Sequence, residues 1–340
     1  MKSEFSFLKQ KAIETDAAPL WKAWRSGPPE AKIVPTSRLL QSTFPFAWRW
    51  KWYGRKSIIR FLSRLLGGKE IFLQTHWGGT IVTSWHDTFF SQGVCSEPLE
   101  TAFVTRLVKF GMTVIDIGAN RGWYTILFSK LVGASGKVFA FEPDPQAFKI
   151  LKRNVEANSF TSNIAIFQQA VSNFSGTANF VIKRDSTVSH LEQSDEKILV
   201  NGNRLLKTTC VDLAEFIKNK NLEKVDVVKI DVEGAEMQVL EGFRPLIQRG
   251  IRPILLLEII EKNLRKYNAS IGDLMDFFEK IQYVCLPITP RREEFIPKQN
   301  SGSSNIKNFI VVSKGIAVNL KEQLFDNENV DRNTNEKESD

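Results

Sequence analysis

The chain is poor in the residues that most readily mark a compartment or a reaction. It has three cysteines in 340 residues (Cys95, Cys210 and Cys285), and none of them forms a CxxC pair. Neither a structural zinc site nor a disulfide framework is expected from that spacing. There are three histidines, His76, His86 and His190, so few imidazoles are on offer as a base near neutral pH. Long apolar runs are missing. The longest, Ile254 to Ile260, is interrupted by Glu258 and falls far short of the about 20 residues that a membrane span needs. The opening MKSEFSFLKQKAIE has no unbroken apolar region of the kind a secretory signal carries. The cytoplasm is the expected compartment. Several motifs are absent as well: no GxSxG elbow, which disfavours a serine hydrolase, no phosphate-binding GxxxxGK[ST] and no dinucleotide GxGxxG.

What remains is ordinary globular material, 42% hydrophobic and 25% charged, long enough to bury a substantial core. The net charge of +8 is unevenly spread. From Arg38 to Lys69 there are eight basic residues and no acidic one, interleaved with Phe44, Phe46, Trp48, Trp50, Trp52, Tyr53 and Phe61. Within this window SIIRFLSRLL, residues 57–66, places its aliphatic residues on one helical face. After Lys321 the sign reverses, with seven acids against two bases and no apolar periodicity, as in a solvated tail.

Between these ends the pattern is regular. Residues 70–90 read as short strands with a turn at Gly78-Gly79, and a helix is expected from about Glu97 to Phe110. Strands are then expected at Thr113–Ile117, Lys137–Phe141, Ile164–Gln168, Val225–Ile230 and Ile254–Leu257. Helices fit between or after them at Trp123–Val132, Pro145–Asn158, Ala235–Gln248 and Ile271–Lys280. Short apolar strands alternating with helices predict a parallel sheet with right-handed crossovers. Residues 174–220 read as an insertion holding a strand pair, TANFVI and LLKTTCVDL, with Asp212 capping a helix through Asn219. Gln282–Pro287 and Asn308–Ser313 read as two closing antiparallel strands. The expected division is a Trp-rich basic extension over 1–95, a catalytic domain over 96–318 and an acidic tail over 319–340.

Three segments carry chemistry. In VIDIGANRGWYT, Val114 to Thr125, an apolar strand runs through Asp116 into a turn built on Gly118, Ala119, Asn120 and Gly122 and then into a helix. Glycine lets backbone approach a ligand closely, and free N–H groups at a helix start suit a carboxylate. In VFAFEPDP, Val138 to Pro145, Glu142 ends the next strand, where an acid can accept from both hydroxyls of a ribose. In VDVVKIDVEGAEMQVLEGF, Val225 to Phe243, strand alternation puts Val227, Lys229 and Asp231 on one face. A lysine in an apolar strand needs a partner, and Asp231, Glu233 and Glu236 are available. With Glu258 closing the fifth strand, four acids (Asp116, Glu142, Asp231 and Glu258) fall at the carboxyl ends of predicted parallel strands, the edge where open α/β sheets bind ligands.

Taken together, VIDIGANRGWYT, FEPDP and VKIDVEGAEMQVLEGF closely resemble the FkbM-type S-adenosylmethionine-dependent methyltransferases, over roughly Glu97 to Ser313. The resemblance implies a Rossmann-like seven-stranded sheet of the class I methyltransferase type, mostly parallel with an antiparallel last strand and helices on both faces. It implies methyl transfer to an oxygen, often a hydroxyl of a saccharide, glycolipid or natural product. Carried onto this chain, Asp116, Gly118, Ala119, Asn120 and Gly122 would hold the methionine part of S-adenosyl-L-methionine, and Glu142 with Pro143 the ribose. Ala170 would lie near adenine, and Lys229, Asp231, Glu233 and Glu236 by the acceptor. The absence of an Asp/Asn-Pro-Pro-aromatic tetrad after the fourth strand speaks, by the same resemblance, against methylation of a nucleobase amino group, and no nucleic acid partner is expected.

A hydroxyl acceptor wants a base. Asp231 is the first choice, with Glu233 and His190 behind it. Alternatively a divalent cation held by Asp231 and Glu258 would lower the hydroxyl pKa. Two other functions compete: a non-catalytic binder on a membrane or polyanion, motivated by residues 38–69, and a nicotinamide-dependent oxidoreductase, which Asn120 in place of a glycine and the missing Tyr-x-x-x-Lys pair disfavour. Residues 38–69 would also serve an enzyme lying on the inner, anionic face of a membrane.

Overall fold

A computed structural model describes residues 32–34, 70–75, 77–84, 98–182, 190–192, 204–288 and 308–316. The basic aromatic segment 38–69, with its expected helix over 57–66, and the acidic tail after 319 lie outside the described residues, as do His76 and His86.

In chain order, β1 (Lys32–Val34), β2 (Glu70–Gln74) and β3 (Thr80–Ser84) form a small antiparallel sheet. Helix α1 (Pro98–Leu107) leads into β4 (Thr113–Ile117), α2 (Trp123–Val132), β5 (Lys137–Phe141), α3 (Pro145–Glu156) and β6 (Ile164–Phe167). A second small sheet follows, built from β7 (Ala170–Ser172), β8 (Gly176–Ile182), β9 (His190–Glu192) and β10 (Arg204–Asp212), and then α4 (Leu213–Asn219). The chain returns to the main sheet through β11 (Val227–Ile230), α5 (Glu236–Glu241), α6 (Arg244–Gln248) and β12 (Ile254–Glu258). It finishes with α7 (Glu261–Leu264), α8 (Ile271–Lys280), β13 (Tyr283–Pro287) and β14 (Asn308–Ser313).

The main sheet has seven strands in the order β13-β14-β12-β11-β4-β5-β6. The five strands from β6 to β12 are parallel, and β14 runs antiparallel between β12 and β13. This is the mostly parallel sheet with an antiparallel last strand that the sequence predicts. Both faces are covered. Val114, Val138, Val227 and Leu256 pack under α1 and α2 on one side, while Ile115, Phe139, Val228 and Leu255 pack under α4, α5 and α8 on the other. Strands buried on both sides read as continuous apolar runs, which is why β4 and β5 begin and end where the sequence places them. Local chemistry fixes the helix starts. Asp144 caps α3, accepting from the N–H groups of Gln146 and Ala147, with Pro145 in the first turn. Ser270 and Asp273 form a capping box at α8.

Two expectations need correction. The single helix expected over 235–248 is two short helices, α5 and α6. Pro245 has no N–H to give to the carbonyl four residues back, and its ring crowds that turn, so the helix ends at Glu241 and restarts at Arg244. The small sheet also begins earlier than residue 174. β10, nine residues long, pairs with β8 along one edge and leaves its other edge open, where Cys210 to Asp212 take Ala170–Ser172 as a parallel strand. The strand pair expected in the insertion is present as β8 and β10, antiparallel from Arg204↔Ile182 to Cys210↔Gly176. The Asp212 side chain caps α4 by accepting from the N–H of Glu215. No helix among the described residues is long and apolar enough to cross a membrane.

Candidate active site

The turn after β4 is a tightly packed cradle. Gly118 and Gly122 have φ of 79° and 88°, and Asn120 sits in the left-handed region at 50°, which asparagine tolerates better than most residues. The N–H groups of Gly118 and Ala119 both donate to the carbonyl of Phe141, at 3.0 and 2.9 Å, so the turn hangs on the end of β5. A Cβ at Gly118 would lie 1.8 Å from the carbonyl oxygen of Asp231, and one at Gly122 would lie 2.5 Å from the Leu151 side chain on α3. The sequence reading gives Gly118 a close approach to a ligand. The close approach made in the protein is to the backbone of the neighbouring strand. Ala119 is buried and Pro143 is half-buried beside the turn.

Two carboxylates hold this cradle. Glu142, at the end of β5 and 6% exposed, accepts from the N–H of Asn120 (2.7 Å) and from that of Asp144 (2.8 Å). Burial pushes its carboxyl up to about 7, against the pull of those two backbone donors. Asp116 lies beneath the turn, fully buried, and accepts from the hydroxyl of Thr125 at 2.6 Å. Its Oδ1 has no hydrogen-bond partner among the described residues. Burial raises its pKa, with Lys229 and the Thr125 hydroxyl pulling the other way.

The turn after β11 is built differently. Lys229 stands beside Asp116 in register, its ammonium 2.8 Å from Asp231 Oδ2 and 4.9 Å from the centre of the Tyr124 ring. The partner that an intrasheet lysine requires is therefore Asp231. Glu233 takes a φ of 57° and Gly234 one of 119°. The Asn263 side chain donates to Glu233 at 2.8 Å, and a Cβ at Gly234 would strike the Asn263 carbonyl at 2.4 Å. Asp231, Glu233 and Glu258 each bring one carboxylate oxygen into a common space, all within 4.8 Å of one another. Burial, then the neighbouring Asp231 and Glu233 charges, push Glu258 up to about 8, partly offset by Lys229. Glu236, 2% exposed, accepts from the Gly234 N–H through one oxygen and leaves Oε2 without a partner. Burial holds it up at about 7.

The fold thus brings Asp116, Glu142, Lys229, Asp231, Glu233 and Glu258 to one edge of the sheet. His190 stands elsewhere, in β9 at the edge of the small sheet, paired in register with Val181. Ala170 is buried at the start of β7, opposite Cys210. Sequence reasoning missed Tyr124, Asn263 and the Asn308 side chain, which donates to Glu100 at 2.8 Å from the position directly paired with Glu258. Tyr124 sits inside a quoted motif, but nothing there says that Lys229 will lie over its ring. Asn263 and Asn308 reach partners 30 and 208 residues away, a distance at which local pattern is silent.

The family model for the Methyltransferase FkbM domain matches residues 116–285, half of the chain and the span that holds every residue of this edge. The chain belongs to the FkbM methyltransferase family. Among curated relatives it is 29% identical over 154 residues to methyltransferase sdnD of Sordaria araneosa, covering 38% of this chain and 59% of that protein. It is 30% identical over 133 residues to the hexuronic acid methyltransferase AglP of Haloferax volcanii, covering 39% and 50%. To the 31-O-demethyl-FK506 methyltransferase FkbM of Streptomyces tacrolimicus it is 28% identical over 170 residues, covering 43% and 64%. The chain thus spans about half to two thirds of these relatives' lengths. A crystal structure of an FkbM methyltransferase from Methylobacillus flagellatus superimposes with a TM-score of 0.38 at 15% identity, over 59% of this chain and 43% of that one. FkbM membership thus rests on the sequence match, and the class I sheet on the strand order itself.

Proposed function

We propose that this FkbM-family protein is an S-adenosylmethionine-dependent O-methyltransferase whose acceptor is a hydroxyl of a saccharide, glycolipid or natural product. The observation that carries the reading is the shared sheet edge, where a glycine cradle, a ribose-type acid and a lysine-paired aspartate meet on adjacent strands. The donor is a cation that supplies a methyl group on a sulfonium. The residues fit such a ligand: Asp116 is buried, acidic and has an oxygen without a hydrogen-bond partner among the described residues, and the edge gathers five acids, Asp116, Glu142, Asp231, Glu233 and Glu258, around the ammonium of Lys229. That negative potential favours a cationic ligand.

In this reading Gly118, Ala119, Asn120 and Gly122 hold the methionine end. Glu142, with Pro143, takes the ribose hydroxyls, and Ala170 lies toward adenine. Asp231 accepts the acceptor's proton, and Lys229 fixes the direction in which that carboxylate points. Glu233 lines the same space, braced by Asn263. His190 is the remaining candidate base, to be tested by substitution. A saccharide or natural-product acceptor is supported by the likeness to AglP, a hexuronic acid methyltransferase, and to FkbM, a 31-O-demethyl-FK506 methyltransferase. Residues 38–69 are proposed to bring the enzyme to an anionic membrane surface, with salt-sensitive binding to anionic vesicles as the check. A divalent cation between Asp231, Glu233 and Glu258 is a second reading, favoured by their convergence within 4.8 Å. It predicts that a chelator abolishes turnover and magnesium restores it. The test of the main reading is calorimetry with S-adenosylhomocysteine followed by turnover on a panel of glycan and natural-product hydroxyls. Binding with methyl transfer to an oxygen supports it. Absence of S-adenosylhomocysteine binding overturns it.

A further inference from the structure

Helix α3 carries two buried asparagines one turn apart, Asn154 (0% exposed) and Asn158, just past its end (6%). Asparagine is a poor helix interior residue, and a buried amide must satisfy both of its ends. Each reaches the N-terminal hairpin with its side-chain oxygen. Strand β3 is an edge strand whose outward-facing backbone groups need partners. Asn158 gives one residue of that edge both halves of a strand partner: its oxygen accepts from the Thr80 N–H and its amide donates to the Thr80 carbonyl, both at 2.8 Å. Two residues along the same edge, the Asn154 oxygen accepts from the Val82 N–H.

The other end of Asn154 does something different. Its amide donates to the carbonyl of Arg121, inside the turn between Gly118 and Gly122. The preceding residue, Asn120, donates its N–H to Glu142. Consecutive residues of the cradle are therefore pinned from two sides, by the ribose-type acid and by Asn154. A second hairpin contact reaches the same place: Trp77 packs edge-on against Trp123, the residue after Gly122, with ring centres 5.6 Å apart.

We propose that Asn154 is a positioning residue that couples the hairpin β2–β3 to the cofactor cradle, so that docking of the hairpin and binding of the cofactor strengthen each other. The proposal rests on the cofactor reading of the cradle. One side chain holds Val82 with its oxygen and Arg121 with its amide, so fixing either partner fixes the amide plane for the other. Such coupling is reciprocal.

Hydrogen exchange of the wild-type protein with and without saturating S-adenosylhomocysteine tests it without any substitution. The expected result is that the amides of residues 80–84 exchange about 10-fold more slowly with ligand, within the usual range of such couplings. Asn154→Asp then cuts one half of the link, because a carboxylate still accepts from Val82 but cannot donate to Arg121. Asn158→Asp is the control on the same helix: it loses its donations to the Thr80 carbonyl and to the backbone carbonyl of Asn154, and leaves the Asn154 side chain and its bond to Arg121 in place. Asn154→Asp should weaken S-adenosylhomocysteine about 10-fold and erase the exchange response, while Asn158→Asp keeps affinity within about twofold at a similar loss of melting temperature. Bound ligand with unchanged exchange at 80–84 overturns the coupling. So do two variants that weaken binding equally. Failure of the wild type to bind S-adenosylhomocysteine overturns the cofactor reading and the proposal with it.

Discussion

Two turns leave neighbouring strands of one sheet, and their construction is opposite. The turn after β4 is closed. Its glycines back onto the Asp231 carbonyl and Leu151, and its supporting acids, Asp116 and Glu142, are buried and committed to Thr125, Asn120 and Asp144. The turn after β11 is open. Asp231 and Glu233 are half-buried, Glu258 joins them, and the Lys229 ammonium lies 2.8 Å from Asp231. A closed turn pinned by buried hydrogen bonds is suited to holding a ligand's shape at little reorganisation cost. An open one with unbalanced charge is suited to moving a proton. The two are joined where Gly118 meets Asp231, so the separation of binding from chemistry is a separation of side chains and not of backbone.

Substituting that joint should have the largest effect. Gly118→Val forces a side chain into the Asp231 carbonyl and a β-branched residue into positive φ. It is expected to cost more than about 4 kcal/mol, the range of severe backbone and packing defects, and to be seen in thermal melts as a collapse of folded protein. A folded Gly118→Val protein that merely fails to bind cofactor would show that the glycine serves the ligand alone and that the backbone joint tolerates a side chain.

Next in size is Asp231→Asn, which keeps the shape and removes the charge. Turnover should fall about 100-fold or more, as for a lost general base. Near-normal turnover in steady-state assays would move the base elsewhere, to Glu233 or His190.

Glu142 gives an effect in pH. Its folded pKa of about 7 lies above the ordinary 4.5, so the folded protein binds more protons than the unfolded chain between those values. Stability of the ligand-free protein should therefore fall as pH rises from about 4.5 through 7. Affinity for S-adenosylhomocysteine should rise over pH 6 to 8, because the ionised carboxylate is the better acceptor. Glu142→Gln should flatten the affinity curve, measured by calorimetry, and make the fall of melting temperature shallower without abolishing it, because Glu236 and Glu258 are raised in the same direction.

The smallest effect is a control on the same helix that carries Asn154. Lys152 and Glu156 stand 4.0 Å apart and are mostly exposed. Lys152→Ala should change stability by less than about 0.5 kcal/mol, in chemical denaturation.

Much of this architecture was legible because local chemistry decides it. Thr113–Ile117, Lys137–Phe141, Trp123–Val132 and Ile271–Lys280 occupy the spans that apolar runs and their flanking Gly, Pro and cap residues predict. The edge acids were legible too, since Asp116, Glu142, Asp231 and Glu258 follow from strand ends alone. Failures came where a neighbour decides. Ala170–Ser172 is a strand because it pairs with the free edge of β10, 40 residues later. Gly118 is glycine because Asp231 is behind it. Asn154 and Asn158 look like polar positions on an amphipathic helix until the hairpin, more than 70 residues earlier, is set against them. In each case the partner is distant in sequence, and no periodicity points to it.

The central claim is that cofactor binding and proton transfer reside on different strands. Parallel calorimetric titrations of S-adenosylhomocysteine into wild-type, Glu142→Ala and Asp231→Asn protein test it most directly. Glu142→Ala should lose about 1.5–3 kcal/mol of binding, the range for hydrogen bonds to a charged group, while Asp231→Asn binds as the wild type does. Equal weakening in the two variants would contradict the account.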